Sequence, residues 1–151
     1  MAPRHPLTIR VDLASAYEML DLAQTLAEGL CREIGFDEDA VHWIGVSVRE
    51  SVANAVLHGN RLSPDKRVFV ELSGTRVEGP SIDVTVRDQG EGFDPTTIAD
   101  PLAPENLLKG SGRGIFLIRS FMDDVVIERS PLGGMQMRLR KHVPASPDVS
   151  R

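Results

Sequence analysis

A carboxylate, an amide and an imidazole recur every fourth residue near the middle of this 151-residue chain, at Glu50, Asn54 and His58. On an α-helix that spacing places the three side chains within about 80° of one another. Apolar residues such as Val48 and Val52 occupy most of the remaining helix surface. Because burying Glu and Asn without partners costs on the order of several kcal/mol, we expect this polar stripe to face an occupied cleft.

The Glu50 and Asn54 pair suits two kinds of chemistry. Carboxylate and amide oxygens are the ligands of a hard cation such as Mg²⁺. The carboxylate is also able to accept a proton from an incoming hydroxyl group. Taken alone, such a pair is more often part of a solvated helix face, so its meaning depends on the rest of the chain.

A second group, Asp88-Gln-Gly-Glu-Gly-Phe93, directly follows a predicted strand. Gly90 and Gly92 permit positive φ and let a ligand approach the backbone closely. An ionised Asp only accepts hydrogen bonds, so Asp88 suits an exocyclic amine such as that of adenine. On its own, this pattern is more often a plain turn.

A third group, Gly110-Ser-Gly-Arg-Gly-Ile115, opens a predicted helix. Backbone N–H groups at such a start form an anion site, and Arg113 adds a charge suited to phosphate oxygens. The group lacks the lysine of a P-loop and follows a loop rather than a strand, which disfavours a Rossmann unit. The preceding residues 94–111 lack periodicity and have the length of a lid, in which Lys109 either reaches phosphate or is solvated.

The elements that must position these groups follow from hydrophobic periodicity. Alternation with period two predicts strands at 7–13, 67–73, 81–87, 125–129 and 135–140. Helices are predicted from a Ser15 cap to Ile34 with a stop at Gly35, from an Asp37 or Asp39 cap to a stop at Gly59 and Asn60, and from a Ser111 cap to Met122. This order predicts an α+β two-layer sandwich, in which a mixed or antiparallel sheet of about five strands carries three main helices on one face. We expect one domain over 7–141, with disordered residues 1–6 and 142–151.

Composition narrows the class of protein. The net charge of −5 and the pI near 5.3 argue against binding to nucleic acid or to an anionic membrane. No run of about 18 apolar residues predicts a membrane span. The single cysteine, Cys31, lies at helical spacing after Leu30 and Ala27 and is expected to be a reduced core thiol. The start has no apolar signal region, so a cytoplasmic location is expected.

The three groups, taken in this order, resemble the GHKL (Bergerat-fold) ATPase superfamily. Glu50 to Asn54 is similar to its N box, Asp88-x-Gly90-x-Gly92 to its first glycine box, and Gly112-Arg-Gly114 to its second. Within the superfamily, the sequence of residues 50–59 and 112–123 most closely resembles that of the anti-sigma-factor serine/threonine kinases of bacteria. The resemblance extends over about residues 7–141.

The resemblance implies a role for each group. Asn54 would ligate Mg²⁺ bridging the phosphates of ATP, and Glu50 would be the general base toward a serine or threonine hydroxyl. Asp88 would accept from the adenine amine, while Gly90 and Gly92 would admit the nucleotide to the backbone.

Residues 94–111 would form the ATP lid. The phosphates would be bound by Lys109 and by a run that comprises Gly110, Ser111, Gly112, Arg113 and Gly114.

The resemblance also implies partners: an anti-anti-sigma (STAS-type) protein as substrate, a sigma factor, and a second copy of the chain in a homodimer. Two features depart from these expectations or lie outside them. Relatives often carry threonine after the glycine of the last hairpin, whereas Met135 follows Gly134 here. His58 is common at its position, but no chemical role follows for it.

Three other functions remain as alternatives. A nucleotide-responsive binding module of the same fold would bind a regulator without kinase turnover, and would need no base at Glu50. The catalytic domain of a histidine kinase is disfavoured, because we expect no phospho-accepting helical segment before Leu7. An ATP hydrolase of the gyrase or chaperone type shares the Glu and Asn pair but uses transducer domains that we do not identify in this sequence.

Overall fold

A computed structural model describes residues 5–92 and 110–145, with the backbone alone at 110–113. The elements, in chain order, are β1 (Leu7–Ala14), α1 (Glu18–Ile34), α2 (Glu38–Ala53), a π-helical turn (Asn54–Gly59), β2 (Arg67–Thr75), β3 (Ser81–Arg87), α3 (Gly110–Phe121), β4 (Asp124–Arg129) and β5 (Met135–His142). The strands form one sheet in the order β1-β2-β3-β5-β4, and every neighbouring pair is antiparallel. The predicted α+β fold is confirmed, and the sheet is antiparallel rather than mixed.

Alternation along the strands separates the two faces of the sheet. Val70 on β2 is paired with Val11 on β1 and Val86 on β3, and both Val70 and Val86 are buried beneath the helices. The opposite face carries exposed ion pairs between strands, such as Arg10 with Glu71. Exposed pairs of this kind contribute about 0–1 kcal/mol each, so the buried apolar face accounts for most of the stabilisation.

The predicted cap of α1 is wrong. Ser15 does not cap α1, since its buried hydroxyl donates instead to the carbonyl oxygen of Lys66 at 2.5 Å. Tyr17 occupies the N-cap position without a side-chain hydrogen bond, and Gly35 ends the helix with a φ of 103°. Of the two candidate caps for α2, Asp37 accepts from the backbone N–H of Ala40 at 2.8 Å.

The second helix does not continue as an α-helix to Gly59. It ends at Ala53, and the next six residues form a π-helical turn in which the N–H of Asn60 donates to the carbonyl of Ala55 at 2.7 Å. A hydrogen bond that reaches five residues back widens the turn, so the predicted α-helical projection does not hold for His58. Such π-turns within helices occur frequently at functional sites.

Helix α3 begins at Gly110, so Ser111 lies inside its first turn rather than at the predicted cap. At the other end of the chain, β5 reaches His142, and the N–H groups of Val143 and Ala145 donate to Pro80 and Glu78. Residues 1–4 and 146–151, which belong to the predicted disordered ends 1–6 and 142–151, lie outside the described residues. The same holds for residues 93–109, which include most of the predicted lid at 94–111. Among the described helices, none has both the length and the apolar character needed to cross a membrane.

The core lies between the helices and the sheet. Ile44, Val48 and Val52 on α2 are fully buried there, together with Ile118 on α3. Cys31 on α1 is equally inaccessible. Its burial is the main cause that raises the pKa of the thiol to about 12, and the nearby negative charge of Glu28 is a smaller cause. The thiol is therefore protonated in the folded protein, as expected of a core residue.

Candidate functional site

A cavity of about 560 Å³ opens where the π-helical turn faces the ends of β3 and β5. Helix α3, β4 and the loop that follows β3 complete its walls. Polar and apolar side chains share the lining, among them Asn54, His58, Asp88, Val86, Ile127 and Met137. This size and mixed lining are typical of a pocket for a small organic ligand.

Asn54 lies in this lining with an unsatisfied amide. Its Nδ2 atom is buried and forms no hydrogen bond with any part of the chain that the structure describes. Leaving an amide group buried without a partner costs about 1–3 kcal/mol, which a bound ligand would recover. The other atom of the same amide is an oxygen, and an oxygen ligand in this lining fits the preference of Mg²⁺.

The protein supplies few further metal ligands nearby. Within 5–92 and 110–145, no group of three or more His, Cys, Asp or Glu side chains is arranged to hold a metal ion. Mg²⁺ commonly binds through one or two protein oxygens together with the phosphates of a substrate. The donor set around Asn54 fits that mode of binding rather than a metal cage made by protein alone.

Glu50 lies one helical turn before Asn54 and is half-buried against the start of α3. A Cβ atom added to Gly114 would lie 2.9 Å from its Oε2 atom. No described residue forms a hydrogen bond or ion pair with this carboxylate. Glycine at position 114 therefore leaves room for an uncommitted carboxylate beside the helix start, as a general base requires.

Asp88 is 5% exposed and closes the other end of the cavity. Its Oδ1 atom accepts from the backbone N–H groups of Gly90 at 2.9 Å and Met135 at 3.1 Å. No hydrogen bond to Oδ2 comes from the part of the chain that the structure describes. One oxygen is thus fixed by the backbone, while the other remains an acceptor for a ligand.

Three glycines pack directly on Asp88 and its loop. A Cβ atom on Gly59 would lie 2.1 Å from Asp88 Oδ2, and one on Gly134 would lie 2.2 Å from the Asp88 carbonyl oxygen. A Cβ atom on Gly90 would lie 2.1 Å from the carbonyl oxygen of Gly59. Since contacts this short cannot be made by any larger residue, the glycines allow the Asp88 loop to approach the end of the π-helical turn.

These contacts revise the sequence interpretation of the glycines. Gly92 has the positive φ that was expected, at 78°. Gly90 does not, and it serves close packing against Gly59 instead. The sequence indicated only a helix end for Gly59 and a turn for Gly134, because the partner of both glycines, Asp88, is distant in the chain.

Basic side chains lie at the mouth of the cavity. His58, Arg61 and Lys66 contribute to the lining, and His58 is exposed. Arg61 and Leu62 both have left-handed backbone conformations, with φ of 52° and 58°, which cost about 1 kcal/mol or more each for residues other than glycine. Residues in such conformations cluster at ligand sites but also occur in turns, as at Glu78 between β2 and β3 with a φ of 58°.

The floor of the cavity near Asp88 is apolar. Met135 and Met137 on β5 are buried there beside Val86 and Ile127. The Sδ atom of Met137 also contacts the hydroxyl of Ser51 at 3.4 Å. Polarisable thioethers pack well against a flat aromatic ring, so Met135 offers an apolar surface where relatives often present a threonine hydroxyl.

The remaining predicted phosphate-binding residues are described only in part. The backbone of Gly110, Ser111, Gly112 and Arg113 forms the first turn of α3. Lys109 lies outside the described residues. The predicted anion site at this helix start therefore remains a prediction, placed beside Glu50 by the contact with Gly114.

Comparisons with known proteins agree with this geometry. The histidine kinase-like ATPase domain family matches residues 13–141. An anti-sigma F factor of Bacillus velezensis is 36% identical over 112 residues, which are 72% of this chain and 73% of that protein. The serine-protein kinase RsbW of Listeria innocua is 28% identical over 131 residues, which are 83% of this chain and 81% of that protein.

A solved structure extends the likeness to the fold. It contains the RsbU and RsbW domains of a Mycobacterium tuberculosis protein and superimposes with a TM-score of 0.61 at 15% identity. The match covers 93% of this chain and 33% of the solved chain. At that identity the likeness concerns the fold alone.

Proposed function

This chain belongs to the histidine kinase-like ATPase domain family, and from that premise we propose that it is an ATP-dependent protein serine/threonine kinase that also binds a sigma factor. The observation that carries the proposal is the uncommitted Glu50 carboxylate beside Gly114, one helical turn before Asn54, which lines the same cavity as Asp88. A module that only binds nucleotide needs no such base. The names of the relatives, anti-sigma F factor and serine-protein kinase, support the same proposal.

Asp88 would select and orient the nucleotide. Its Oδ2 atom would accept from the exocyclic amine of adenine, and the support is that Oδ1 is already held by two backbone N–H groups. Met135 and Met137 would pack against the purine ring. With the base held at this end, the phosphates would extend toward Asn54 and the start of α3.

Asn54 would hold Mg²⁺ through its amide oxygen, together with oxygens of the phosphates. When bound, the ion neutralises negative charge on the phosphates, which is the main requirement of phosphoryl transfer. Arg113 and the N–H groups from Gly110 to Gly114 would bind phosphate oxygens at the helix start. Lys109 would approach from the lid.

Glu50 would act on the protein substrate. It removes the proton from a serine or threonine hydroxyl as that oxygen forms a bond to the γ-phosphorus of ATP. The bond between the γ-phosphorus and the β–γ bridging oxygen breaks, and ADP leaves. The products are ADP, a phosphorylated protein and a proton held first by Glu50.

The proposed substrate is an anti-anti-sigma (STAS-type) protein, and the proposed second partner is a sigma factor, both in the cytoplasm. A homodimer is part of the same proposal. The support comes from the similarity to anti-sigma F factor and RsbW, which extends over nearly three quarters or more of the chain.

Phosphotransfer from labelled ATP tests the proposal. The purified protein, Mg²⁺ and γ-labelled ATP are added to extract from a host strain that lacks the gene, with Glu50→Gln as the test variant. Glu33→Gln is the matched control, because Glu33 is an exposed carboxylate on α1 outside the cavity. We expect one labelled small protein with the wild type and the control, and a loss of at least about 100-fold in label with Glu50→Gln, the scale of a lost general base.

Two results would contradict the proposal. Undiminished labelling by Glu50→Gln would remove Glu50 as the base. An absence of label despite demonstrated ATP binding would favour the nucleotide-responsive binding module, and a pull-down from the same extract would then identify the regulator that it holds.

A further inference from the structure

Asn60, the residue after the π-helical turn, has a side chain whose polar atoms are all engaged within the protein. It is 1% exposed. Its Nδ2 atom donates to Ser15 Oγ and to the carbonyl oxygen of Arg67, both at 2.9 Å. Its Oδ1 atom accepts from the backbone N–H of Gln89 at 2.7 Å. Although Asn60 lies in the cavity wall, its amide is committed to the protein rather than free for a ligand.

The partners of Asn60 come from segments that are distant in the chain. Ser15 precedes α1, and its hydroxyl donates onward to the carbonyl of Lys66. Arg67 starts β2, and its N–H donates to the side-chain Oε1 of Gln89 at 2.7 Å. One buried amide therefore joins the end of the π-helical turn to three other segments, of which the loop after β3 carries Asp88.

Of the three hydrogen bonds of Asn60, the one from the Gln89 N–H affects the position of Asp88. Gln89 follows Asp88 directly, and Gly59, which precedes Asn60, is the residue on which the Asp88 carboxylate packs. The bond between Asn60 Oδ1 and the Gln89 N–H thus fixes the backbone on one side of Asp88. Hydrogen bonds from Gly90 and Met135 then fix Oδ1 of the carboxylate, and the direction of Oδ2 follows from both.

We propose that Asn60 is a positioning residue for recognition of the nucleobase, which it supports by holding the Gln89 N–H so that Asp88 Oδ2 faces the cavity. The inference rests on the proposed function, in which Asp88 accepts from the adenine amine. An amide is required because the position needs an acceptor toward Gln89 and two donors toward Ser15 and Arg67. Alanine at this buried position removes all three hydrogen bonds, including the one to the Gln89 N–H.

The test compares two nucleotides that differ only at the exocyclic amine. Equilibrium binding of ATP and of purine riboside triphosphate, which lacks that amine, is measured for the wild type, Asn60→Ala and Ser15→Ala. We expect Asn60→Ala to lower the preference for ATP by about tenfold, the factor for one hydrogen bond to a carboxylate. Ser15→Ala removes one partner of Nδ2 but leaves the bond to Gln89, so its preference should stay within about twofold of the wild type.

Asn60→Asp separates positioning from folding if the alanine variant does not fold. It keeps an oxygen opposite the Gln89 N–H and removes both donors, so we expect lower stability with the preference for ATP retained. The inference is overturned if Asn60→Ala binds both nucleotides more weakly with an unchanged ratio, or if Asn60→Asp loses the preference completely. A wild-type protein that shows no preference between the two nucleotides would instead refute the role proposed for Asp88.

Discussion

At the scale of single residues, the candidate site depends on glycines, whose lack of a side chain leaves room for neighbouring carboxylates. The Asp88 carboxylate is enclosed by Gly59 and Gly134, and Glu50 extends past Gly114. In each case an added Cβ atom would lie less than 3.0 Å from a neighbouring atom, a distance that real Cβ atoms almost never show. Asp88, the proposed acceptor, and Glu50, the proposed general base, can therefore lie against the backbone, where a bound nucleotide would also lie.

Gly59→Ala tests this close packing. Because the new methyl group would overlap Asp88 Oδ2, we expect the carboxylate to be displaced and the affinity for ATP to fall by about tenfold or more. Isothermal titration with Mg-ATP measures the change.

Gly29→Ala is the matched control for that substitution. Gly29 lies within α1, is exposed, and has open space where its Cβ would be. There we expect unchanged affinity for ATP and a gain of about 0.5–1 kcal/mol in the free energy of unfolding. Unchanged ATP affinity in Gly59→Ala would argue that Asp88 does not contact the nucleotide.

At the scale of elements, the change from α-helix to π-helix at Asn54 is the decisive feature. It occurs at the proposed metal ligand, and it brings Gly59 and Asn60 against the Asp88 loop. A continued α-helix would rotate these residues away, since each residue turns the chain by about 100°. One helical segment thus contributes the proposed general base, Glu50, and the proposed metal ligand, Asn54. It also contributes the wall behind Asp88, the proposed acceptor for the adenine amine.

The start of α2 is remote from this site, and its cap should affect stability alone. Asp37→Ala removes the hydrogen bond to the N–H of Ala40 and should lower the free energy of unfolding by about 1 kcal/mol. Asp39→Ala removes a first-turn carboxylate that makes no cap and should cost only about 0.3 kcal/mol. Denaturant titration measures both, and equal losses would show that the cap is not the source of the effect.

At the scale of the whole molecule, an antiparallel sheet with one apolar face carries the helices, and the cavity lies at the edge of this core. The buried residues of α2 anchor the segment that bears Glu50 and Asn54. Packed helices and strands on both sides of the cavity hold the proposed catalytic groups in place. Catalysis of phosphoryl transfer depends largely on such positioning.

Burial of Cys31 predicts how stability depends on pH. Its pKa is about 12 in the folded protein against an ordinary value of 9.0, so the protonated thiol is favoured by folding. This contribution is fully present below about pH 9 and is lost as the pH rises toward 12, at roughly 1.4 kcal/mol per pH unit. In denaturant titrations at several pH values, the stability of the wild type should fall relative to that of Cys31→Ala over this range. A constant difference between the two proteins would refute the shift.

Much of the architecture follows from the sequence alone. The predicted strand at 81–87 coincides with β3, and Gly35 ends α1 as expected. These features are local: alternation with period two reports one buried face, and glycine after a helix reports a left-handed residue. The three polar groups also indicated the family, because their residue types and order are written directly in the chain.

Tertiary structure decided the features that depend on residues distant in the chain. Ser15 appeared to be a helix cap, yet its hydroxyl is engaged by Lys66 and Asn60. Asn60 and Gly59 appeared only to end a helix, yet the first holds Gln89 and the second contacts Asp88. Neither arrangement has a periodic signature, because a hydrogen bond or a close contact between distant segments depends on how the elements pack. The sequence therefore determined which groups could perform the chemistry, and the packing determined which residues hold them in place.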